Sequence, residues 1–253
     1  MAQLENRTRH EPGSDPSQPR RGASSRVLWR PRLIEGNPAA RRNAACNAKP
    51  PVRRRRKRVF DIVFGAALVV FLAPLMLIIA ALVKLDGGPI LYGHRRVGAN
   101  GRSFRCWKFR SMVVDADKVL ADVLRSDPEA RRQWEQDFKL KSDPRITRIG
   151  RFLRTTSLDE LPQLFNVIKG EMSLIGPRPI VTEEIERYGD AFRHYCACRP
   201  GMTGLWQVSG RNGVDYVRRV KFDVQYATDW SFLLDLVVLC RTVVAVTRRS
   251  GAY

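Results

Sequence analysis

Asp159 and Glu160 are adjacent carboxylates that closely follow Arg151 and Arg154. Neighbouring cations favour the charged form of an acid, so this company keeps both carboxylates ionised at neutral pH. An ionised aspartate can attack phosphorus while arginines or a Mg2+ ion hold the phosphate charge. The plainer alternative is that both acids decorate a helix start, where they complement the dipole. Ser157 and Glu160 have capping-box spacing, and Pro162 suits a first helical turn. The pattern therefore predicts a helix that begins here and ends at Gly170, with Lys169 in its last turn.

Two further segments carry phosphate-binding chemistry. In Gly176-Pro177-Arg178-Pro179, two prolines stiffen the backbone and present one guanidinium at a fixed place. The stretch from Arg199 to Arg211 is glycine-rich and basic, and it contains Trp206 and Gln207. Its N–H groups and arginines could embrace a diphosphate. Trp206 could stack on a base, although packing in a core is the commoner fate. Neither a Walker A nor a G-x-G-x-x-G pattern occurs, so the usual nucleotide folds have no support. Cys196, Cys198 and His194 lie close together, but a second ligand pair is missing, and ordinary thiols are the favoured reading. Five scattered cysteines suit a reducing compartment.

The elements that must position these residues begin late. Residues 1–52 are rich in Arg, Pro, Ser and Asn with no sustained apolar period, and read as a disordered basic tail. A basic run from Arg53 to Arg58 follows. From Ile62 to Val83 there is no charged residue, and a helix of that length rises about 33 Å, enough to cross the hydrocarbon core. Pro74 lies mid-segment, where it kinks a helix. Lys84, Arg95 and Arg96 follow, so both flanks are positive and both belong on the cytoplasmic side. A re-entrant helix satisfies that placement and a straight span does not.

Beyond this segment, 86–253 reads as one cytoplasmic domain, α/β but mostly helical. A β-hairpin is predicted over residues 87–112, with its turn at Ala99-Asn100-Gly101. One or two surface helices broken near Pro128 should follow. The apolar stretch from Trp230 to Val246 suits either a core helix or an interfacial one. The net charge of +20 calls for an anionic partner without choosing among nucleic acid, membrane and phosphorylated substrate.

Six motifs in one order over about 200 residues resemble the bacterial sugar transferases, also called monotopic phosphoglycosyl transferases. They are Lys57–Asp61, Trp107–Met112, Asp143–Arg148, Ser157–Gln163, Met172–Pro179 and Arg199–Gln207. The resemblance implies a re-entrant helix broken at Ala73-Pro74, where the family usually has Ser before the proline. It implies transfer of a sugar 1-phosphate from a UDP-sugar to a polyprenyl phosphate, with release of UMP. Asp159 would form a covalent sugar-phosphoryl intermediate, Glu160 would move a proton or bind metal, and Mg2+ is the expected ion on the pair. Lys108, Arg154 and Arg178 match positions implicated in phosphate or substrate binding; Arg110, Arg199 and Gln207, in the same motifs, and Arg211, just beyond the last, are further candidate substrate-binding residues.

Glucose and galactose are the leading sugars, because short forms of the family often prime exopolysaccharide with a hexose. The expected location is the bacterial inner membrane, with the catalytic domain on the cytoplasmic face and no nucleic-acid partner. Whether the chain forms a homodimer is open. The competing reading is a basic, membrane-anchored binding or scaffold protein, which would have no need of Asp159.

Overall fold

The computed structural model describes residue 51, residues 54–137, residue 140, and residues 142–210 and 214–247. The predicted disordered tail, Arg53 and Arg211 lie outside the described residues. These residues are mostly helical, with two small sheets among them.

Helix α1 runs from Arg55 to Lys84 as one element through Pro74. Its length of about 45 Å comes from an apolar sequence that lacks the polar stripe of a helix half in water. Only 17% of its most apolar window is buried by the rest of the protein. Val63, Phe64, Val70, Phe71, Leu77 and Ile78 are exposed, so the helix is apolar and long enough to sit in a bilayer.

Both ends of α1 are nevertheless fastened to the domain. Near the start, Lys57 Nζ donates to Asp235 Oδ2 at 2.8 Å and to the Ile175 carbonyl at 3.0 Å. Asp61 accepts from Ser173 Oγ and from the Leu174 N–H. Near its end, the Val83 carbonyl accepts from Arg110 Nη2 at 2.9 Å. Met76, Ile79 and Val83 pack there against Phe109, Leu153, Leu158 and Leu161.

Strands β1 (Leu91–Val97) and β2 (Ser103–Phe109) form the expected antiparallel hairpin, with Tyr92 opposite Lys108 and Arg96 opposite Phe104. The turn follows its residues, since Asn100 and Gly101 adopt φ of 56° and 72°, the left-handed region that Asn and Gly tolerate. Helices α2 (Ala116–Ser126) and α3 (Pro128–Asp137) meet at the predicted break.

Helix α4 (Arg148–Thr156) starts at Thr147, whose hydroxyl accepts from the Gly150 N–H. It is followed by a 3-10 turn, Leu158–Glu160, and by α5 (Gln163–Lys169). The capping box at Ser157 does not form. Ser157 has φ 58°, ψ 17° and ends α4, whereas an N-cap serine must be extended to accept from the next turn. Gly170 ends α5 at φ 88°, as predicted.

Strands β3 (Ser173–Ile175) and β4 (Gly201–Thr203) pair in parallel, a sheet that the sequence did not predict. The connection between them contains short helices α6 (Ile185–Tyr188) and α7 (Phe192–Cys196). Helices α8 (Tyr216–Thr228) and α9 (Phe232–Thr247) complete the described residues. Helix α9 is partly core and partly exposed, with Val238 buried and Leu233 and Val243 open. Trp230 donates its indole N–H to Asp235 and packs against the main apolar cluster.

Candidate active site

The 3-10 turn sets the acidic pair. Leu158 and Leu161 bury themselves against the second half of α1, which fixes the turn that carries Asp159 and Glu160. Asp159 is 6% exposed, while the Glu160 side chain is 39% exposed. Lys108 of β2 joins them, with Nζ 2.6 Å from Glu160 Oε1 and 3.5 Å from Asp159 Oδ2. Burial pushes the Asp159 carboxyl above its ordinary range, against the pull of Lys108. Glu160 pushes the same way as burial, and Arg154 opposes it. Burial alone would lower the Lys108 ammonium, but Glu160 and Asp159 raise it overall. The cation that touches the pair is therefore a lysine from a distant strand rather than the adjacent arginines.

Supporting bonds hold this arrangement. Asn166 of α5 is fully buried and clamps β2, accepting from the Trp107 N–H at 3.0 Å and donating to the Arg105 carbonyl at 2.7 Å. The clamp sets the strand that carries Lys108. Arg154 donates through Nε to Ser111 Oγ at 2.9 Å. Arg58 of α1 reaches the Val167 and Ile168 carbonyls, both at 2.6 Å, and so caps the C-terminal end of α5. Sequence reasoning missed Asn166 and Ser111. A polar Asn in the middle of an otherwise apolar helix face was the available signal for the first.

The other expected residues fall into separate places. Arg110 is 7% exposed and gives its donors to the Pro89, Met112 and Val83 carbonyls. Arg199 donates to the Gly170 carbonyl, beyond the far end of α5 from the acidic pair. Arg178 and Gln207 form a second group with Trp206. The Trp206 ring is 4% exposed, with the Arg219 and Arg178 guanidiniums 4.7 and 5.7 Å from its centroid. The ring is packed rather than open to a base. Gln207 donates to the Met202 carbonyl at 3.2 Å.

No group of three or more His, Cys, Asp or Glu side chains converges among the described residues. Cys198 is buried, and burial raises its thiol. Two adjacent carboxylates can still hold Mg2+, which commonly takes one or two protein carboxylates and completes its shell with water and substrate phosphate. Glu160, the more exposed of the two, has the freer oxygens for that role.

Residues 52–249 match the family model described as bacterial sugar transferase. The chain is 57% identical over 197 residues to the undecaprenyl-phosphate galactose phosphotransferase of Salmonella typhimurium, covering 78% of this chain and 41% of that protein. It is 55% identical over 197 residues to the UDP-galactose-lipid carrier transferase of Erwinia amylovora, with 78% and 41% covered. The chain thus spans about two fifths of the length of these relatives. It is also 50% identical over 204 residues to the exopolysaccharide production protein ExoY of Rhizobium meliloti, covering 80% of this chain and 90% of that protein.

Proposed function

The chain belongs to the bacterial sugar transferase family, and from that premise we propose that it moves a hexose 1-phosphate from a UDP-hexose to a polyprenyl phosphate. The observation that carries this reading is Lys108 placed on both members of the Asp159–Glu160 pair, on a turn packed against an apolar helix. An Asp159 oxygen attacks the β-phosphorus of the donor. The bond from that phosphorus to the bridging oxygen breaks, and UMP departs with the electron pair. The polyprenyl phosphate then attacks the same phosphorus, the bond to Asp159 breaks, and the free carboxylate returns.

Lys108 favours the ionised, attacking form of Asp159 and meets the charge of the phosphoryl oxygens. Arg154 adds positive charge on the same side. Mg2+ on Glu160 and the substrate phosphates would supply further neutralisation of that charge. Galactose is the first sugar to test, on the names of two relatives, with glucose next.

The way α1 is held supports a particular membrane placement. A helix that crosses the bilayer leaves its far end on the other side, yet Lys57 and Val83 at opposite ends both bond the same domain. Basic residues flank both ends. We therefore place α1 in one leaflet as a re-entrant element, with the domain on the cytoplasmic face of the inner membrane. The acidic pair then lies near the second half of α1, where a lipid-borne phosphate can reach it.

The test is UMP release by purified protein in nanodiscs with Mg2+, undecaprenyl phosphate and a panel of UDP-sugars. Release of UMP that turns over only with the lipid supports the reading and names the sugar. Release of UDP, or turnover without the lipid, overturns it.

A further inference from the structure

His94 of β1 lies on the face of the hairpin that carries Lys108. The register sets Tyr92 opposite Lys108 and His94 opposite Cys106, and residues directly opposite one another share a face. His94 and Lys108 are therefore diagonal neighbours. Their stems stand about 7–8 Å apart, a spacing that aromatic and long side chains bridge. The ring is half-buried and sits beside Tyr92, with 6.2 Å between ring centroids.

The two ring nitrogens differ. Nδ1 is enclosed without a hydrogen-bond partner among the described residues, and Nε2 is not. A neutral imidazole carries one proton. An enclosed N–H with no acceptor is rarer in folded proteins than an enclosed acceptor left unused. The proton therefore belongs on Nε2, which makes His94 a hydrogen-bond donor at its open nitrogen. Charging the ring would put a second proton on Nδ1, where nothing accepts it. The surroundings act in the same direction. Burial, Arg96 and Lys108 hold the imidazole below its ordinary range, and Glu183 opposes them. His94 is thus neutral at pH 7.

We propose that His94 is a further catalytic residue, a fixed neutral donor whose Nε2–H meets the diphosphate of the nucleotide-sugar on its departing side. The inference rests on the transfer reading above. The attacked phosphorus lies at Asp159, and the departing phosphate is joined to it through one oxygen. Lys108 reaches the acidic pair, and His94 stands beside Lys108, one step along the strand. When the Asp159–phosphorus bond forms and the bridging bond breaks, the electron pair stays on the departing phosphate, which goes from one negative charge to two. An N–H aimed at those oxygens binds them more strongly as that charge grows, so it raises the rate more than the affinity. A phosphate monoester has a second pKa of about 6. The product therefore needs no proton at neutral pH, and a hydrogen bond from a neutral ring is enough.

The test measures UMP release in nanodiscs by wild type, His94→Phe and His94→Gln, with polyprenyl phosphate and the UDP-sugar that wild type uses. Phe keeps a ring and removes the donor, and it should lower kcat at least about tenfold with a smaller change in KM. Gln keeps an N–H near the place of Nε2 and should stay within about threefold of wild type. A packing role would give the opposite order. Spectra of wild type labelled with 15N-histidine, with the His94 signal assigned as the one lost in His94→Gln, should show a neutral ring protonated at Nε2 at pH 7. A ring protonated at Nδ1, an imidazolium at pH 7, a Phe variant as fast as wild type, or a Gln variant as slow as Phe would each overturn the proposal. If any of these came with UMP release by wild type, the transfer reading would stand and the donor alone would fall. If wild type released UDP instead, the transfer reading itself would fall.

Discussion

Replacing Lys108 with Met removes the one cation among the described residues in contact with both carboxylates and keeps most of the side-chain volume. Its Nζ makes a 2.6 Å charge-assisted bond to Glu160 and lies 3.5 Å from Asp159. A hydrogen bond to a charged group contributes about 1.5–3 kcal/mol, so the rate should fall roughly ten- to two-hundredfold. The pH profile should move as well. Burial already holds the Asp159 carboxyl above its ordinary value and Lys108 opposes that. Without Lys108 the carboxyl rises further, so the acidic limb of kcat/KM shifts to higher pH. Lys108→Arg keeps the charge and should keep more of the rate than Lys108→Met. The assay is UMP release against pH for the three proteins. A Met variant within threefold of wild type, with an unmoved acidic limb, would refute the role given to Lys108.

The Asp223 carboxyl, pushed up to about 7 from an ordinary 3.8, binds its proton more tightly in the fold than in the unfolded chain. That stabilisation is complete below about pH 4 and is lost as pH rises through about 7, a difference of at most about 4 kcal/mol. Asp223→Asn should therefore flatten that part of the stability profile, read as melting temperature against pH. Lys57→Met leaves Asp235 buried with its cationic partner gone and should cost about 3–5 kcal/mol, read by thermal unfolding in detergent. A Cβ at Gly150 would collide with the Ser111 carbonyl, so Gly150→Ala should cost about 1–3 kcal/mol and slow transfer by shifting Ser111 and Arg154. Fluorescent reporters at the two termini should both read cytoplasmic. A periplasmic N-terminus would contradict the re-entrant placement.

The long apolar helix, the hairpin and the helix break at Pro128 were legible because each rests on a local signal. These signals are an uncharged run, a turn with residues that tolerate positive φ, and a helix-breaking ring. The parallel pair β3–β4 was not legible, because three-residue strands carry no periodicity and their pairing spans a long connection. The acidic pair was visible as a candidate, but its partner was not. Lys108 arrives from β2 through the hairpin register and the Asn166 clamp, which spacing along the chain does not encode. Ser157 misled for a related reason, since the capping-box pattern is satisfied in sequence while the backbone there turns left-handed to end α4. Arg110 shows the same limit in reverse. A basic residue inside a matching motif reads as a substrate contact, yet its donors go to the Pro89, Met112 and Val83 carbonyls, the last of them in the final turn of α1.

The central claim is that Asp159 becomes covalently loaded. Wild-type protein would be incubated with UDP-galactose and with UDP-glucose in the absence of the lipid acceptor, quenched, digested and examined by peptide mass spectrometry. The account predicts a hexose-phosphate adduct on Asp159 that disappears when polyprenyl phosphate is added and is absent from Asp159→Asn. An adduct on another residue, or lipid-dependent UMP release that persists in Asp159→Asn, would contradict it.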